Sequence, residues 1–351
     1  MADQANTEKR MNIKEVFNPL VIKRGIFIFI VISLVALIGI FLYTNTGKTV
    51  EVWSQVNPLY LLLGLVFIFN DIYIGGLRNH IFMREFVPGI SQWISVKANL
   101  ANIFMGAVTP SQSGGGPAQW YIFYRNGVSI ADNISNSFFN WISTLIFFPL
   151  TGAFAIYVLQ DSIPDGFIMH LTKFGFSVFT TLLIVVVIGL FSPQLLGKII
   201  FIIGKSIKSI HTKWGDKIIN VGTRAVETMS DYQKKYMNLL RTKPQLMVFS
   251  FMLTMLLYFN KYALAYIFIL AFGIEVDFWA VIAVMSVLYL LLYFAPSPGG
   301  SGIAEISLVA LLGPLVGDDY SSSITLLHRS FLIFIPALIG SWIVLKQITK
   351  E

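Results

Sequence analysis

The sequence predicts an all-α polytopic membrane protein of two inverted repeats, each interrupted by a Pro/Gly-rich re-entrant hairpin. Three observations carry that expectation. The 351 residues are 56% hydrophobic and only 12% charged, about half the charged share of a soluble domain. The apolar residues run unbroken over the ~20 residues that cross a bilayer as helix, where barrel strands would alternate in segments of about 10. Two segments rich in Pro, Gly and Ser stand at corresponding places in the two halves. The chain has no cysteine, which excludes a disulfide scaffold and a cysteine-ligated metal site. Its four histidines (His80, His170, His211, His328) are scattered without metal-ligand spacing.

Residues 1–24 are polar, end in Lys23 and Arg24, and are expected in the cytoplasm. Gly25–Tyr43 follows as nineteen uncharged residues, about 28 Å of helix. No small-residue cleavage pattern succeeds it, so it reads as an uncleaved first span. Pro58–Leu77 is a second span, broken by Asp71. The stretch 93–125 is less regular, holding Lys97, Asn99 and Asn102 ahead of Thr109-Pro110-Ser111-Gln112-Ser113-Gly114-Gly115-Gly116-Pro117-Ala118-Gln119. Phe138–Leu159 and Phe174–Leu196 are uncharged spans. Beyond the next polar segment come Gln245–Ile274, with Lys261 near its middle, and Phe278–Ala295. The second Pro/Gly segment is Pro296-Ser297-Pro298-Gly299-Gly300-Ser301-Gly302-Ile303-Ala304-Glu305. Ser321–Leu345 closes the series and carries His328 and Arg329.

The formal net charge is +7, and residues 198–243 supply all of it, with ten Lys/Arg against Asp216, Glu227 and Asp231. One basic segment between apolar spans marks a cytoplasmic loop and gives no reason to expect nucleic acid. Its early alternation of Ile and Lys suits an amphipathic helix on the inner membrane surface, attracting anionic lipid, as well as it suits a solvated linker.

Laid over each other without gaps, the two Pro/Gly segments match Pro110 with Pro296, Gly114 with Gly300, Gly116 with Gly302 and Gln119 with Glu305. The repeats are then 25–160, with hairpin 93–125, and 174–346, with hairpin 278–316, the second interrupted by the basic segment 197–243. Lys/Arg placement puts both termini inside. The short loops with Asp161, Asp165, Glu275, Asp277, Asp318 and Asp319 are poor in basic residues and read as outside. One hairpin then enters from the cytoplasm and the other from outside, beside six full spans. The alternative is eight full spans with both Pro/Gly segments outside the membrane.

Irregular backbone survives at membrane depth only where protein or a water-filled cavity surrounds it, and paired interrupted helices point to a transport site. Glycines let a ligand approach the backbone, and helix N-termini offer N–H groups to anions. The candidate substrate-binding residues are therefore Ser111, Gln112, Ser113, Gly114, Gly115, Gly116 and Gln119 in the first segment. In the second they are Ser297, Gly299, Gly300, Ser301, Gly302 and Glu305. Lys261, His328 and Arg329 join them, because charge within a span usually faces a bundle interior or a polar path. Glu305 either complements its helix N-terminus, shapes the loop or couples transport to a proton. Asp71 and Arg78 share a helix face and suit structural pairing as well as substrate contact. Gly47-Lys48-Thr49 lacks the glycine five residues earlier that a phosphate loop requires.

Thr109–Gln119, Pro296–Glu305 and the arginine of the last span together resemble the flippase-like transmembrane domain family of lysylphosphatidylglycerol synthases, over residues 20–346. The resemblance implies a multi-pass protein of a bacterial or archaeal cell membrane that moves lipids between leaflets. Some relatives carry an acidic residue where this chain has Gln119. In the bifunctional synthases an aminoacyl-transferase domain follows; here the chain ends six residues after Leu345, so none is expected, and neither is a cofactor. The expected function is translocation of an anionic or phosphate-headed lipid, such as a modified phosphatidylglycerol or a polyprenyl-phosphate-linked sugar. A separate lipid-modifying enzyme would be a fitting partner. The alternatives are an intramembrane enzyme on a lipid-linked substrate and a non-transporting scaffold for a lipid synthase. On the translocase reading, Arg329→Ala is expected to abolish transport in a protein that still folds.

Overall fold

The structure, a computed structural model, describes residues 17–43, 49–160 and 167–348. Most of the N-terminal segment, Gly47, Lys48, Asp161 and Asp165 lie outside the described residues. The described residues form helices and no strand. Up to residue 160 stand α1 (Pro19–Tyr43), α2 (Thr49–Ser54), α3 (Pro58–Phe86), α4 (Gln92–Val108), α5 (Gly115–Tyr124) and α6 (Ile130–Leu159). There follow α7 (Phe167–Phe191), α8 (Pro193–Ile210), α9 (Thr212–Thr242) and α10 (Pro244–Ala271). The chain closes with α11 (Phe278–Leu292), α12 (Ile303–Val316), α13 (Asp318–Arg329) and α14 (Ile335–Ile348).

Helix starts follow the local sequence. Asn57 caps α3 by accepting the Leu59 N–H at 3.0 Å, with Pro58 at the first helical position. Ser129 does the same for α6 through Asp132 N–H, and Asp277 for α11 through Ala280 N–H. The expected span 174–196 divides at Ser192, because Pro193 lacks an N–H and disfavours helical geometry in the residue before it.

Among the described residues, six stretches are long and apolar enough to cross a membrane: 58–86, 130–159, 169–191, 244–271, 298–316 and 318–347. This multi-pass helical architecture is the predicted fold class. The set differs from the six expected spans in including 298–316, the return arm of the expected second hairpin, and in not including 25–43. By contrast α4 and α5, at 17 and 10 residues, reach about 26 and 15 Å, short of a ~30 Å core.

One apolar core is built by α6, α10, α11 and α12, with Phe148, Phe268, Val284 and Leu308 fully enclosed. A second gathers around α4 and α5, with Ala101, Met105 and Phe123. Small residues allow the closest crossings: Gly75 and Gly76 of α3 face Asn99 and the Val96 backbone of α4. The basic segment becomes the antiparallel pair α8 and α9, where Gly204 meets Ile219, Gly215 meets Lys208 and Gly222 meets Ile200. Ion pairs Lys235–Asp132 and Lys243–Glu85 tie that end of the chain to α6 and α3.

Both Pro/Gly segments fold as helix, one tight 3₁₀ turn, helix, the turns being Pro110–Gln112 and Pro298–Gly300. The left-handed residues are Ser111 and Gln112 in the first (φ 50° and 56°) and Gly299 and Gly300 in the second (φ 57° and 70°). Geometry therefore pairs Pro110 with Pro298, two residues further along than matching by residue type. The type alignment favours coincident prolines and glycines, whereas the turn is defined by its left-handed pair. Pro117, not Gln119, then occupies the position of Glu305, third in its helix.

Candidate functional site

The two turns touch: Ser111 N–H donates to the Pro296 carbonyl at 3.1 Å. Gly299 presses against the Ala107 backbone and the Phe29 ring. A side chain there would meet both while holding a left-handed φ, so glycine is needed twice over.

Two buried side chains fix the second turn. Glu305 Oε2 accepts the Gly302 N–H at 2.6 Å, the reach-back half of a capping box. Glu305 Oε1 accepts from Arg329 Nε at 3.0 Å, and Arg329 Nη2 donates to the Gly299 carbonyl at 2.9 Å. Glu305 is 0% and Arg329 4% exposed. Ser301 Oγ meets Ser33 Oγ of α1 at 2.9 Å. Directly after Arg329 the helix widens to a π turn over Ser330–Phe334. Pro336 explains it, having no N–H for the Leu332 carbonyl four residues back.

The first turn uses neutral groups instead. Thr109 Oγ1 donates to the Met105 carbonyl and accepts the Gly114 N–H at 2.8 Å. Gln119 is buried between Asn102, which donates to its Oε1 at 3.1 Å, and Asn79, whose Oδ1 accepts from its Nε2 at 3.2 Å. Asn79 also accepts from Asn136 and Asn140, and Ser250 donates to Asn140 Oδ1 at 3.3 Å. A run of uncharged polar side chains thus crosses α3, α6 and α10.

Between the turns lies a cavity of about 270 Å³, near the lower end of small-molecule sites. Gln112, Gly299, Gly300, Lys261, His328 and Arg329 line it among the predicted residues. Asp71, Asn102, Tyr258, Tyr289 and Tyr293 line it too. Lys261 Nζ lies 2.5 Å from Asp71 Oδ1, the carboxylate being 3% exposed. His328 Nε2 approaches the Lys261 carbonyl at 3.4 Å. The cavity wall thus holds the pair Asp71–Lys261 and Arg329, whose partner Glu305 stands behind it, and the four charges cancel.

The other predicted residues serve the turns and do not line the cavity. Ser111 and Ser113 spend their amides on Pro296 and Pro110, and Gly114 on Thr109. Gly115 packs on Asn102, while a side chain on Gly116 would meet only Trp120. Ser301 and Gly302 spend their amides on Pro298 and Glu305. Ser297 keeps a buried hydroxyl with no partner. In this conformation most of the backbone amides expected to hold an anionic head are engaged within the turns.

The tyrosines were not anticipated, though a signal exists. Tyr258 and Tyr262, like Tyr289 and Tyr293, stand four apart on one helix face. Tyr258 stacks on Phe147 with ring centroids 4.8 Å apart, and Tyr293 OH accepts from Trp141 Nε1 at 2.6 Å.

Over residues 26–340 the chain matches the family described as the lysylphosphatidylglycerol synthase TM region. It is also similar to an Archaeoglobus fulgidus protein described as a UPF0104 membrane protein. The two are 22% identical over 312 residues, covering 82% of this chain and 89% of that protein.

Proposed function

For a chain that belongs to the lysylphosphatidylglycerol synthase TM region family, and so for a multi-pass membrane protein, we propose translocation of a lipid with an anionic or phosphate-bearing head between leaflets. The observation that carries this reading is the cavity. A bundle with apolar outer faces holds a space of about 270 Å³ whose largely apolar wall carries Asp71, Lys261, His328 and Arg329, bounded by both Pro/Gly turns, where a head group would exchange water for fixed charges and dipoles. The two turns are opposed re-entrant hairpins in this proposal, and rocking one against the other opens the cavity to each leaflet in turn. Acyl chains stay in lipid. Two apolar grooves on the outer surface suit them: one of about 320 Å³ includes Phe29, Phe104 and Phe334, another of about 450 Å³ includes Phe147, Phe259 and Trp279.

Within this reading Glu305 is the clamp of the second turn. A proton taken up by Glu305 would weaken its hold on Arg329 and Gly302 together, so coupling through it would act by changing loop shape. No cofactor and no catalytic step are part of the proposal. The cell membrane with cytoplasmic termini is the setting it assumes, and a separate lipid-modifying enzyme is the partner it would suit.

The test is mass spectrometry of lipids retained by the purified protein and by Gly106→Leu. Gly106 lines the cavity from α4, and the three atoms nearest a Cβ there belong to the Gln112 side chain, the first at 3.6 Å. Leucine at 106 therefore fills the space without removing any hydrogen bond. Selective retention of one phosphate-headed lipid by the parent, lost in the variant, is the expected result. Identical retention of bulk lipid by both would refute the binding site.

A further inference from the structure

The ion pairs that border the cavity are neutral as pairs, which leaves open what attracts an anionic head. We propose that Arg78 is the head's charged contact, a phosphate-recognition residue at the rim of the cavity; this rests on the reading of the cavity as a lipid site. Arg78 lies two turns along α3 from Asp71, about 10 Å nearer the helix end that carries Arg84 and Glu85. Its position within a spanning helix would ordinarily demand a carboxylate. Among the described residues none pairs with it, since Asp71 is taken by Lys261 and Glu305 by Arg329.

What holds Arg78 is neutral. Nη2 donates to the Asn140 carbonyl and to Thr144 Oγ1, both on α6. Nε is buried without any acceptor. Thr144 stands one helical turn before Phe148 on α6, and Phe148, Tyr258 and Tyr293 wall the cavity. Nη2 is thus anchored, while the Nε N–H on the same edge of the guanidinium is left unmet. A guanidinium so placed offers a charge-assisted N–H to an oxygen of a phosphate mono- or diester. The lipid supplies the negative charge that the protein withholds, so only a loaded site is neutral.

The experiment compares wild type, Arg78→Gln and Arg78→Lys in neutral detergent, each checked as a single species by size exclusion. Gln removes the charge and keeps a polar amide at the level of the Arg78 Nε; Lys keeps the charge and loses the planar guanidinium. Lipid-free thermal unfolding is measured first, and the apparent Kd for phosphatidic acid, diacylglycerol and inorganic phosphate second. The expected result is a lipid-free Tm for Arg78→Gln equal to or above wild type, because an uncompensated charge has been removed. Its Kd for phosphatidic acid should rise about tenfold or more, with Arg78→Lys between the two. Diacylglycerol should bind the three proteins alike.

A sharp fall in lipid-free Tm for Arg78→Gln would make Arg78 a structural residue and overturn the inference. Equal affinity of wild type and Arg78→Gln for phosphatidic acid would overturn it while leaving the cavity reading standing. No binding of phosphatidic acid even by wild type would overturn both. Inorganic phosphate bound as tightly as phosphatidic acid would keep the phosphate site and reject a lipid head as its occupant.

Discussion

Glu305 accepts from Gly302 and Arg329 at once, in surroundings that leave it no water. A buried ion pair adds little over an apolar pair of the same shape, but removing one partner strands a charge. Arg329→Met should therefore lower stability by about 3–5 kcal/mol, read as thermal unfolding in detergent. The double variant Arg329→Met with Glu305→Gln should recover most of it. This revises the expectation that Arg329→Ala leaves a folded, inactive protein: transport lost in that variant would reflect a collapsed turn as much as a missing contact. Gly299→Ala should cost at least about 1–2 kcal/mol, from the left-handed φ alone, whereas Ser111→Gly, at the matching place in the first turn, should be neutral or stabilising. Arg329, Lys261 and Glu305 were legible because charge inside an apolar span is conspicuous. Their partners were not, since Lys261 and Asp71 are brought together only by the packing of α10 on α3. The tyrosine wall was hidden for another reason. An aromatic residue in an apolar span reads equally well as lipid-facing, and only the four-residue spacing hinted at a shared face.

At the scale of elements, small residues decide how closely helices cross, and spans and turns decide where irregular backbone lies. Gly76 lies directly on the Val96 backbone, so Gly76→Leu should push α4 away from α3 and carry the first turn with it. The expected signature is a large loss of stability, of the few kcal/mol that overpacking costs. Gly39→Leu in α1, where no heavy atom stands within 4 Å of a Cβ, should leave unfolding unchanged. Hydropathy places 244–271 and 318–347 to within three residues, because a helix in lipid must be apolar over its crossing length, but it falls nine and eight residues short of 58–86 and 130–159, whose ends carry charged residues. The break at Ser192 was passed over, since hydropathy is blind to a proline whose neighbours are all apolar. The pairing of the turns was displaced by two residues for the reason already given: backbone handedness, not residue identity, defines them. Ser111 and Gln112 take on left-handed φ values that the second turn assigns to Gly299 and Gly300, and no residue-type alignment anticipates that.

For the whole molecule, the proposal depends on two hairpins of opposite orientation meeting at one cavity. The chain has no cysteine, so single cysteines at Lys213 and Asp318 report topology without background. Inversion predicts labelling of position 213 from the cytoplasm and of position 318 from outside; both reached from one side would favour the arrangement of eight full spans. The most direct test of the central claim is a translocation assay in proteoliposomes. Purified wild type and Gly106→Leu would be reconstituted with a fluorescent phosphate-headed lipid, and the fraction quenched by a membrane-impermeant reductant followed over time. Wild type should expose inner-leaflet probe to the reductant, while Gly106→Leu, folded to the same Tm, should protect it as protein-free liposomes do. Translocation by Gly106→Leu at the wild-type rate would contradict the claim that the head group passes through the space between the two turns.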